Sequence, residues 1–193
     1  MSALDKVISI KNFYKVNPIR KAWLKHIIDT DYKNKDQPPN SYSFPVNSES
    51  IFFKDLYAKY MIVTREIFGD YNLDIENVKD GVWCYRSELN DYNSVWHDHI
   101  RTCTINGVYY LQINEGDTIS LNKESKKKNN FSKKIPDNSD IIKKYKLEES
   151  ELLIMPNYLM HKPDPPTGNK VRYCLNMEIK TKETVNELFD RLN

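Results

Sequence analysis

The sequence is poor in cysteine and in glycine, and both shortages narrow the possible functions. It has three cysteines in 193 residues, Cys84, Cys103 and Cys174, with no two close together. An odd, scattered set argues against a disulfide framework and is typical of a chain in a reducing compartment. Five glycines, without a GxGxxG or GxxxxGK[ST] pattern, argue against a glycine-rich phosphate loop.

Long apolar runs and a strong charge of one sign are also missing. The N-terminal MSALDKVISIKNFYKV has no basic region followed by an apolar one, and no apolar run approaches the ~20 residues that span a bilayer. The formal net charge of +2 is too small to indicate a nucleic-acid partner. We therefore expect no membrane segment, no nucleic-acid partner and a cytoplasmic location, in the host if the source is viral.

The composition is that of a globular chain. Hydrophobic residues make up 39% and aromatic residues 12% of the sequence, enough for a sizeable core. We expect a single domain over 1–193, in which 1–71 forms an N-terminal helical support and 72–181 forms a β-rich core.

The helical support begins with a short strand and a helix. Alternation of apolar and polar residues predicts the strand around 8–10. Asn17 and Pro18 are typical of a helix start, and the apolar spacing that follows predicts a helix over about 18–30.

A second helix is predicted after a polar, proline-containing loop at 33–50. Ser48 or Ser50 can cap it, apolar residues then recur at helical spacing, and Gly69 is the expected stop. Neither helix carries obvious chemistry, so both are interpreted as a platform that packs on a sheet.

From residue 72 onward, short β-rich runs alternate with turn residues, as in a sandwich or barrel. The predicted strands lie in NVKDGVWCYRS, TCTINGVYYLQI, TISLN, SELLIMP and KVRYCLNMEIK. The fold class is therefore mainly β with N-terminal helices (α+β), and KETVNELFDRLN predicts a short final helix.

Residues 122–149 are predicted to be an insert between two strands. The segment holds nine lysines and no arginine, which is typical of a solvated, mobile loop. The alternative is a lid, or a basic contact for an anionic macromolecule. Phe131 and Tyr145 are its aromatic residues, too few for a platform that stacks single-stranded nucleic acid.

Three of the four histidines, His97, His99 and His161, lie in the β-rich half. In an extended segment His97 and His99 point to one face, because side chains two residues apart do so. His161 follows the apolar run LLIMPNYLM and can supply a third imidazole from a neighbouring strand. Such a set suits iron, zinc, copper or nickel and leaves coordination positions open. On spacing alone, a pair of surface histidines is an equal alternative, and His26 on the first helix is interpreted as structural.

The surroundings of these histidines resemble the Fe(II)/2-oxoglutarate-dependent oxygenases. The likeness spans roughly 80–180 and consists of DYNSVWHDH, the GVYYL strand, a glycine turn, an apolar strand that ends in P-x-x-x-x-H, and a later arginine. It is similar in particular to a subgroup from phages and bacteria that is related to the prolyl hydroxylases. The resemblance implies a jelly roll (double-stranded β-helix) and an oxygenase, in the simplest case a hydroxylase, with Fe(II) as cofactor and 2-oxoglutarate as co-substrate.

The resemblance also implies roles for individual residues. His97 and His161 match the two histidine ligands of the iron, and His99 stands where most members carry an aspartate or a glutamate. Arg172, eleven residues after His161, matches the basic residue that pairs with the distal carboxylate of 2-oxoglutarate. Tyr110 resembles a tyrosine that hydrogen-bonds the same carboxylate.

Alternation along the strand KVRYCLN gives a separate argument for Arg172. Arg172, Cys174 and Asn176 share one face, and if that face lines the interior the guanidinium is buried and needs an anion. A guanidinium binds a carboxylate with two parallel hydrogen bonds. The alternatives are a surface salt bridge for Arg172, Lys170 as the cation on the same face, and a core position for Tyr110.

Histidine at position 99 is a departure from the usual triad of two histidines and one carboxylate. A neutral imidazole leaves the metal about one unit more positive, which favours anionic ligands and changes the redox properties. Asp98 can restore a carboxylate ligand only if the strand is bulged there. We expect Trp83, Trp96 and Tyr109 in the core or in a pocket wall.

Two alternatives to the oxygenase remain open from the sequence. One is a three-histidine, cupin-like dioxygenase that does not use 2-oxoglutarate, in which Arg172 binds the substrate itself. The other is a non-catalytic jelly-roll binding module, in which His97→Ala changes neither metal content nor stability. The sequence does not identify the substrate, which can be a small molecule or a protein side chain.

Overall fold

Nine strands and three α-helices are present in the part of the chain that the structure, a computed structural model, describes. This part comprises residues 3–14, 17–33, 41–46, 50–74, 82–89, 95–125 and 140–192. The strands form two antiparallel sheets, so the protein is mainly β, as the sequence predicts.

The helices are α1 (Asn17–Lys33), α2 (Ile51–Phe68) and α3 (Val185–Phe189). The strands are β1 (Ile8–Ile10), β2 (Ser41–Pro45), β3 (Val82–Ser87), β4 (Ile105–Gln112), β5 (Thr118–Asn122), β6 (Ile142–Lys146), β7 (Leu152–Pro156), β8 (His161–Pro163) and β9 (Arg172–Ile179).

The larger sheet has the order β1-β7-β4-β9-β3-β2, and the smaller one has the order β6-β5-β8. The inner strands β7 and β9 are buried along their whole length, and β4 is buried up to its last residue. Burial on both faces follows because one face of the large sheet packs against α2 and the other lines an internal cavity. Their apolar runs explain why these strands were recognisable in the sequence.

Helix α2 packs closely on β4. Its buried side chains include Leu56, Tyr60 and Thr64, which recur every four residues as an amphipathic helix requires. An added Cβ at Gly107 of β4 would lie 2.6 Å from the Tyr60 ring, so only glycine fits there. Gly69 ends the helix at the predicted stop with a φ of 70°, a backbone conformation that favours glycine.

The N-terminal part of the chain also contributes both edge strands of the large sheet. The strand predicted around 8–10 is present as β1, and it pairs with β7. The prediction of a loop over 33–50 is wrong for β2, which pairs with β3 along five residues. β2 alternates serine with aromatic residues, but it has only five residues and ends at Pro45, so the sequence alone favours a continuation of the surrounding polar loop. Proline is tolerated at the edge of a sheet.

The lysine-rich insert is only partly described, since residues 126–139 lie outside the described part of the chain. Within 122–149, the predicted loop is wrong over β6, which pairs with β5 and forms an edge of the small sheet. Its lysines stand on a solvent-exposed edge, where charge opposes pairing with another chain. The high lysine content made this strand look like a loop in the sequence.

The chain ends as predicted in a short helix, α3. Thr184 and Glu187 form a reciprocal capping box at its start, which satisfies two backbone donors that a helix start leaves free. In the described residues, no helix is long and apolar enough to cross a membrane.

Candidate metal and anion site

His97 and His161 are held opposite each other by the backbone. The amide of each donates to the carbonyl of the other at 3.0 Å. Residues paired in this way across antiparallel strands have neighbouring side chains, and the two ring centres are 4.3 Å apart. Residues that are 64 apart in the sequence thus meet at one point.

His99 is held by a turn rather than by a strand. Its amide donates to the carbonyl of Asn157, and its own carbonyl accepts from the amides of Thr102 and Cys103. Its ring centre lies 5.3 Å from that of His97 and 5.2 Å from that of His161. The expectation that His97 and His99 share a face agrees with this geometry, although only His97 forms a β-bridge.

The three imidazoles all use Nδ1 as a donor away from the centre. Nδ1 of His97 donates to the carbonyl of Val95 at 2.9 Å, and Nδ1 of His161 donates to that of Leu159 at 2.8 Å. A carbonyl only accepts, so the proton sits on Nδ1 and leaves Nε2 with a free lone pair. The Nε2 of His99 is buried without a hydrogen-bond partner.

Burial keeps these rings ready to bind a cation. It lowers the pKa of His97 and lowers that of His161 well below its ordinary value, and the neighbouring His99 lowers both further. Neutral imidazoles offer lone pairs instead of protons. One ligand atom from each histidine lies within 4.8 Å of the others, so small side-chain adjustments would bring all three nitrogens to about 2.1 Å from one ion.

Arg172 lies on the wall of the same cavity and is 1% exposed. Its Nε donates to Ser87 Oγ at 3.0 Å, and one Nη donates to the carbonyl of Asp164 at 2.7 Å. The other Nη forms a long ion pair with Asp117 Oδ2 at 3.8 Å, which is beyond hydrogen-bond reach, and has no hydrogen-bond partner. A buried guanidinium with one unused donor suits a carboxylate ligand.

Tyr110 of β4 also lines the cavity, opposite Cys174 of β9 in the register. Burial raises the pKa of Tyr110 well above its ordinary value, so its hydroxyl keeps its proton and can act as a donor. Trp83 forms another wall, with its ring stacked 6.1 Å from that of His99. The structure therefore brings His97, His99, His161, Arg172 and Tyr110 around one cavity of about 400 Å³.

Other residues considered from the sequence lie elsewhere. Lys170 precedes β9, is exposed to solvent and pairs with Glu149 at 3.3 Å. It is therefore not the cation of the cavity. Asp98 is outside the group of converging ligand atoms and bonds the amide of Ile100. Tyr109 is buried in the core. Trp96 stands beside Lys162, whose amine lies 5.8 Å from its ring centre.

The sequence interpretation missed Glu178, Asp117, Asp164 and Ser87. Glu178 lies two residues beyond Asn176 on the inward face of β9, and its Oε1 accepts from His99 Nδ1 at 2.6 Å. Extending the alternation Arg172, Cys174, Asn176 by one step would have placed it inside. The remaining three come from other strands and turns, for which the sequence has no comparable pattern.

The donor set fits a divalent transition metal together with a carboxylate ligand. Three imidazole nitrogens suit iron, nickel, copper or zinc and leave positions for further ligands. Two buried atoms of residues that line the cavity have no hydrogen-bond partner: the lone pair of His99 Nε2 suits a cation, and the N–H groups of one Arg172 Nη suit an anion.

Solved structures with the same fold include three proteins of low sequence identity. HygX from Streptomyces hygroscopicus, with nickel and 2-oxoglutarate bound, is 12% identical, with a TM-score of 0.65 over 89% of this chain and 81% of its own. A prolyl hydroxylase from Trichoplax adhaerens, in complex with a hypoxia-inducible-factor peptide, is 13% identical, with a TM-score of 0.62 over 91% and 83%. A prolyl-4-hydroxylase from Pseudomonas putida is 11% identical, with a TM-score of 0.57 over 92% and 94%.

At these identities the similarity is one of fold, and at that level it confirms the resemblance seen in the sequence. No protein-family model matches the sequence. No curated protein matches it either.

Proposed function

We propose that this chain is an Fe(II)/2-oxoglutarate-dependent oxygenase, in the simplest case a hydroxylase, and that its two sheets form a double-stranded β-helix. The observation that carries the proposal is the pairing of two incomplete sites in one cavity. Three imidazole rings converge on the cavity, and one Nη of the buried Arg172 has no hydrogen-bond acceptor. A metal ion with a dicarboxylate co-substrate completes both sites.

In this proposal, His97, His99 and His161 hold the iron. The unpartnered Nη of Arg172 and the Tyr110 hydroxyl bind the far carboxylate of 2-oxoglutarate, and Ser87 and Asp164 fix the guanidinium plane. When bound, the iron would activate dioxygen with 2-oxoglutarate as the electron donor and so allow a C–H bond to be hydroxylated, while the protein would supply orientation and shielding.

The cavity wall contributes the shielding. Val108, Ile119 and Leu147 line it beside the polar groups. Apolar walls exclude water and strengthen the electrostatic contacts inside. A substrate approaching the histidines would therefore be oriented by shape more than by charge.

The alternatives are less favoured. A metal enzyme that does not use 2-oxoglutarate must provide another hydrogen-bond acceptor for the free Nη of Arg172, and a non-catalytic module leaves the convergence of three imidazoles unexplained. The Trichoplax relative in fold holds a peptide, which is consistent with a protein side chain as substrate here, and a small molecule remains the other substrate class.

The direct test is succinate release from 2-oxoglutarate in the presence of Fe(II) and oxygen. We expect metal-dependent turnover in the wild type and a loss of about 100-fold or more in Arg172→Ala, because a charged hydrogen-bond donor disappears from a buried site. Arg172→Lys should recover only a small part, since an ammonium lacks the planar fork.

Lys170→Ala is the matched control, since it removes a nearby but exposed cation and should keep the wild-type rate. An absence of metal-dependent turnover together with an absence of 2-oxoglutarate binding would contradict the proposal.

A further inference from the structure

Glu178 of β9 is a buried carboxylate for which the proposed function has no role. Its Oε1 accepts from His99 Nδ1 at 2.6 Å and from the Thr102 hydroxyl at 2.6 Å. The residue is 8% exposed. Among the ion pairs of the described residues, its partner is His99, a group that carries a charge only when protonated.

Glu178 is a hydrogen-bond partner of His99 and not a ligand beside it. His99, Cys103 and Glu178 do offer atoms within 4.8 Å of one another. However, 2.6 Å between nitrogen and oxygen is a hydrogen-bond length, whereas two ligands about 2.1 Å from one ion stand roughly 3 Å apart or more. Glu178 and the unpartnered Nε2 therefore lie on opposite sides of the His99 ring.

Burial of this carboxylate requires a nearby positive charge. An uncompensated buried carboxylate is costly, and neither lysine nor arginine pairs with Glu178 in the described part of the chain. A metal ion bound to Nε2 of His99 would offset the negative charge of Glu178 from the opposite side of the imidazole ring. Carboxylate–histidine–metal arrangements of this kind orient the ring and strengthen the nitrogen as a donor.

Resting on the proposed function, we propose that Glu178 is a positioning residue of the metal site. Its carboxylate orients His99 and supplies, through that imidazole, the negative charge that a carboxylate ligand at position 99 would bring directly to the ion. The positive charge of an ion held by three neutral histidines is then balanced by a carboxylate that contacts His99 and not the ion itself.

The first experiment is Glu178→Gln, which keeps the shape and an acceptor but removes the charge. Affinity is measured anaerobically by competition titration with Fe(II), and with Co(II), whose visible absorption reports on the ligands. We expect affinity to fall by about 10- to 100-fold, as for other outer-shell partners, together with a changed Co(II) spectrum. Glu151→Gln is the matched control, because Glu151 is also buried and accepts from Ser9 and Tyr145, and its affinity should stay at the wild-type value.

A second experiment moves the charge instead of removing it. His99→Glu alone brings two carboxylates together, which disfavours the ionised pair, and we expect weak metal binding. Combining His99→Glu with Glu178→Gln leaves a single carboxylate, now on the ion, and should bind metal at least about 10-fold more tightly than His99→Glu alone. A purely structural role of Glu178 predicts no such rescue, and this comparison decides the matter if Glu178→Gln alone does not fold.

The outcomes separate the two proposals. Wild-type affinity and spectrum in Glu178→Gln, or the absence of rescue in the double variant, would overturn the role of Glu178 and leave the three-histidine site standing. Failure of the wild type itself to bind Fe(II) or Co(II) would instead refute the proposed function, and the role of Glu178 with it.

Discussion

At the scale of single residues, the three histidines are fixed from three directions. His97 and His161 are paired through their backbones, and His99 is held by a turn and by Glu178. Each Nδ1 has an acceptor, so the rings cannot flip without losing a hydrogen bond. Such preorganisation lowers the cost of assembling the site around an ion.

His161→Ala should abolish tight metal binding, because it removes one of three ligands and the described residues offer no fourth histidine, cysteine or carboxylate that converges with them. The loss should exceed the roughly 10- to 100-fold effect of outer-shell changes. Anaerobic calorimetric titration with Co(II) measures it. His26→Ala on α1 is the control, and a variant at 161 that keeps the wild-type affinity would contradict the assignment.

Part of this site was predictable from the sequence. The HxH spacing indicated two rings on one face, and the alternation on β9 indicated an inward Arg172. The contact between His99 and Glu178 joins residues 79 apart, and no local pattern encodes that distance. Lys170 shared that face as the weaker candidate, and the start of β9 at Arg172 separates the two cations.

At the scale of elements, the predictable parts are those with a strong local period. α2, β4, β7 and β9 carry apolar patterns that match their burial. β2 and β8 are short and each ends at a proline, β6 is short and lysine-rich, and all three form because neighbouring strands offer partners. Pairing with neighbouring strands determines the structure of such segments, so local propensity does not reveal them.

Gly107→Ala tests the close packing of α2 on β4. The new Cβ would stand 2.6 Å from the Tyr60 ring, and overpacking of this kind costs typically about 1–3 kcal/mol. Thermal unfolding should show a melting temperature lower by about 2–4 °C for each kcal/mol.

Combining Gly107→Ala with Tyr60→Leu should cost less than the sum of the two single changes, because the ring that clashes is gone. Additive effects, or an unchanged melting temperature in Gly107→Ala, would show that this contact is not tight.

At the scale of the whole molecule, buried tyrosines make stability depend on alkaline pH. Burial raises the pKa of Tyr57 to about 12, and raises those of Tyr60 and Tyr110 well above their ordinary value of 10.0. The unfolded chain loses these protons near pH 10 while the folded chain keeps them. Stability is therefore full below pH 10 and falls as the pH rises through the folded-state values.

Urea unfolding at pH 8 and at pH 11 measures this effect. The free energy of unfolding should be lower at pH 11 in the wild type, and the difference should shrink in Tyr57→Phe, which has no proton to lose. An equal difference in both proteins would show that Tyr57 does not contribute to the pH dependence.

The central claim is that one cavity contains both a metal site and a carboxylate site, which bind iron and 2-oxoglutarate together. Anaerobic calorimetric titration of 2-oxoglutarate into Fe(II)-loaded protein tests this claim most directly. We predict binding of one 2-oxoglutarate per chain that requires the metal and is lost in Arg172→Ala. No binding to the Fe(II)-loaded protein, or equal binding in the absence of metal, would contradict the account.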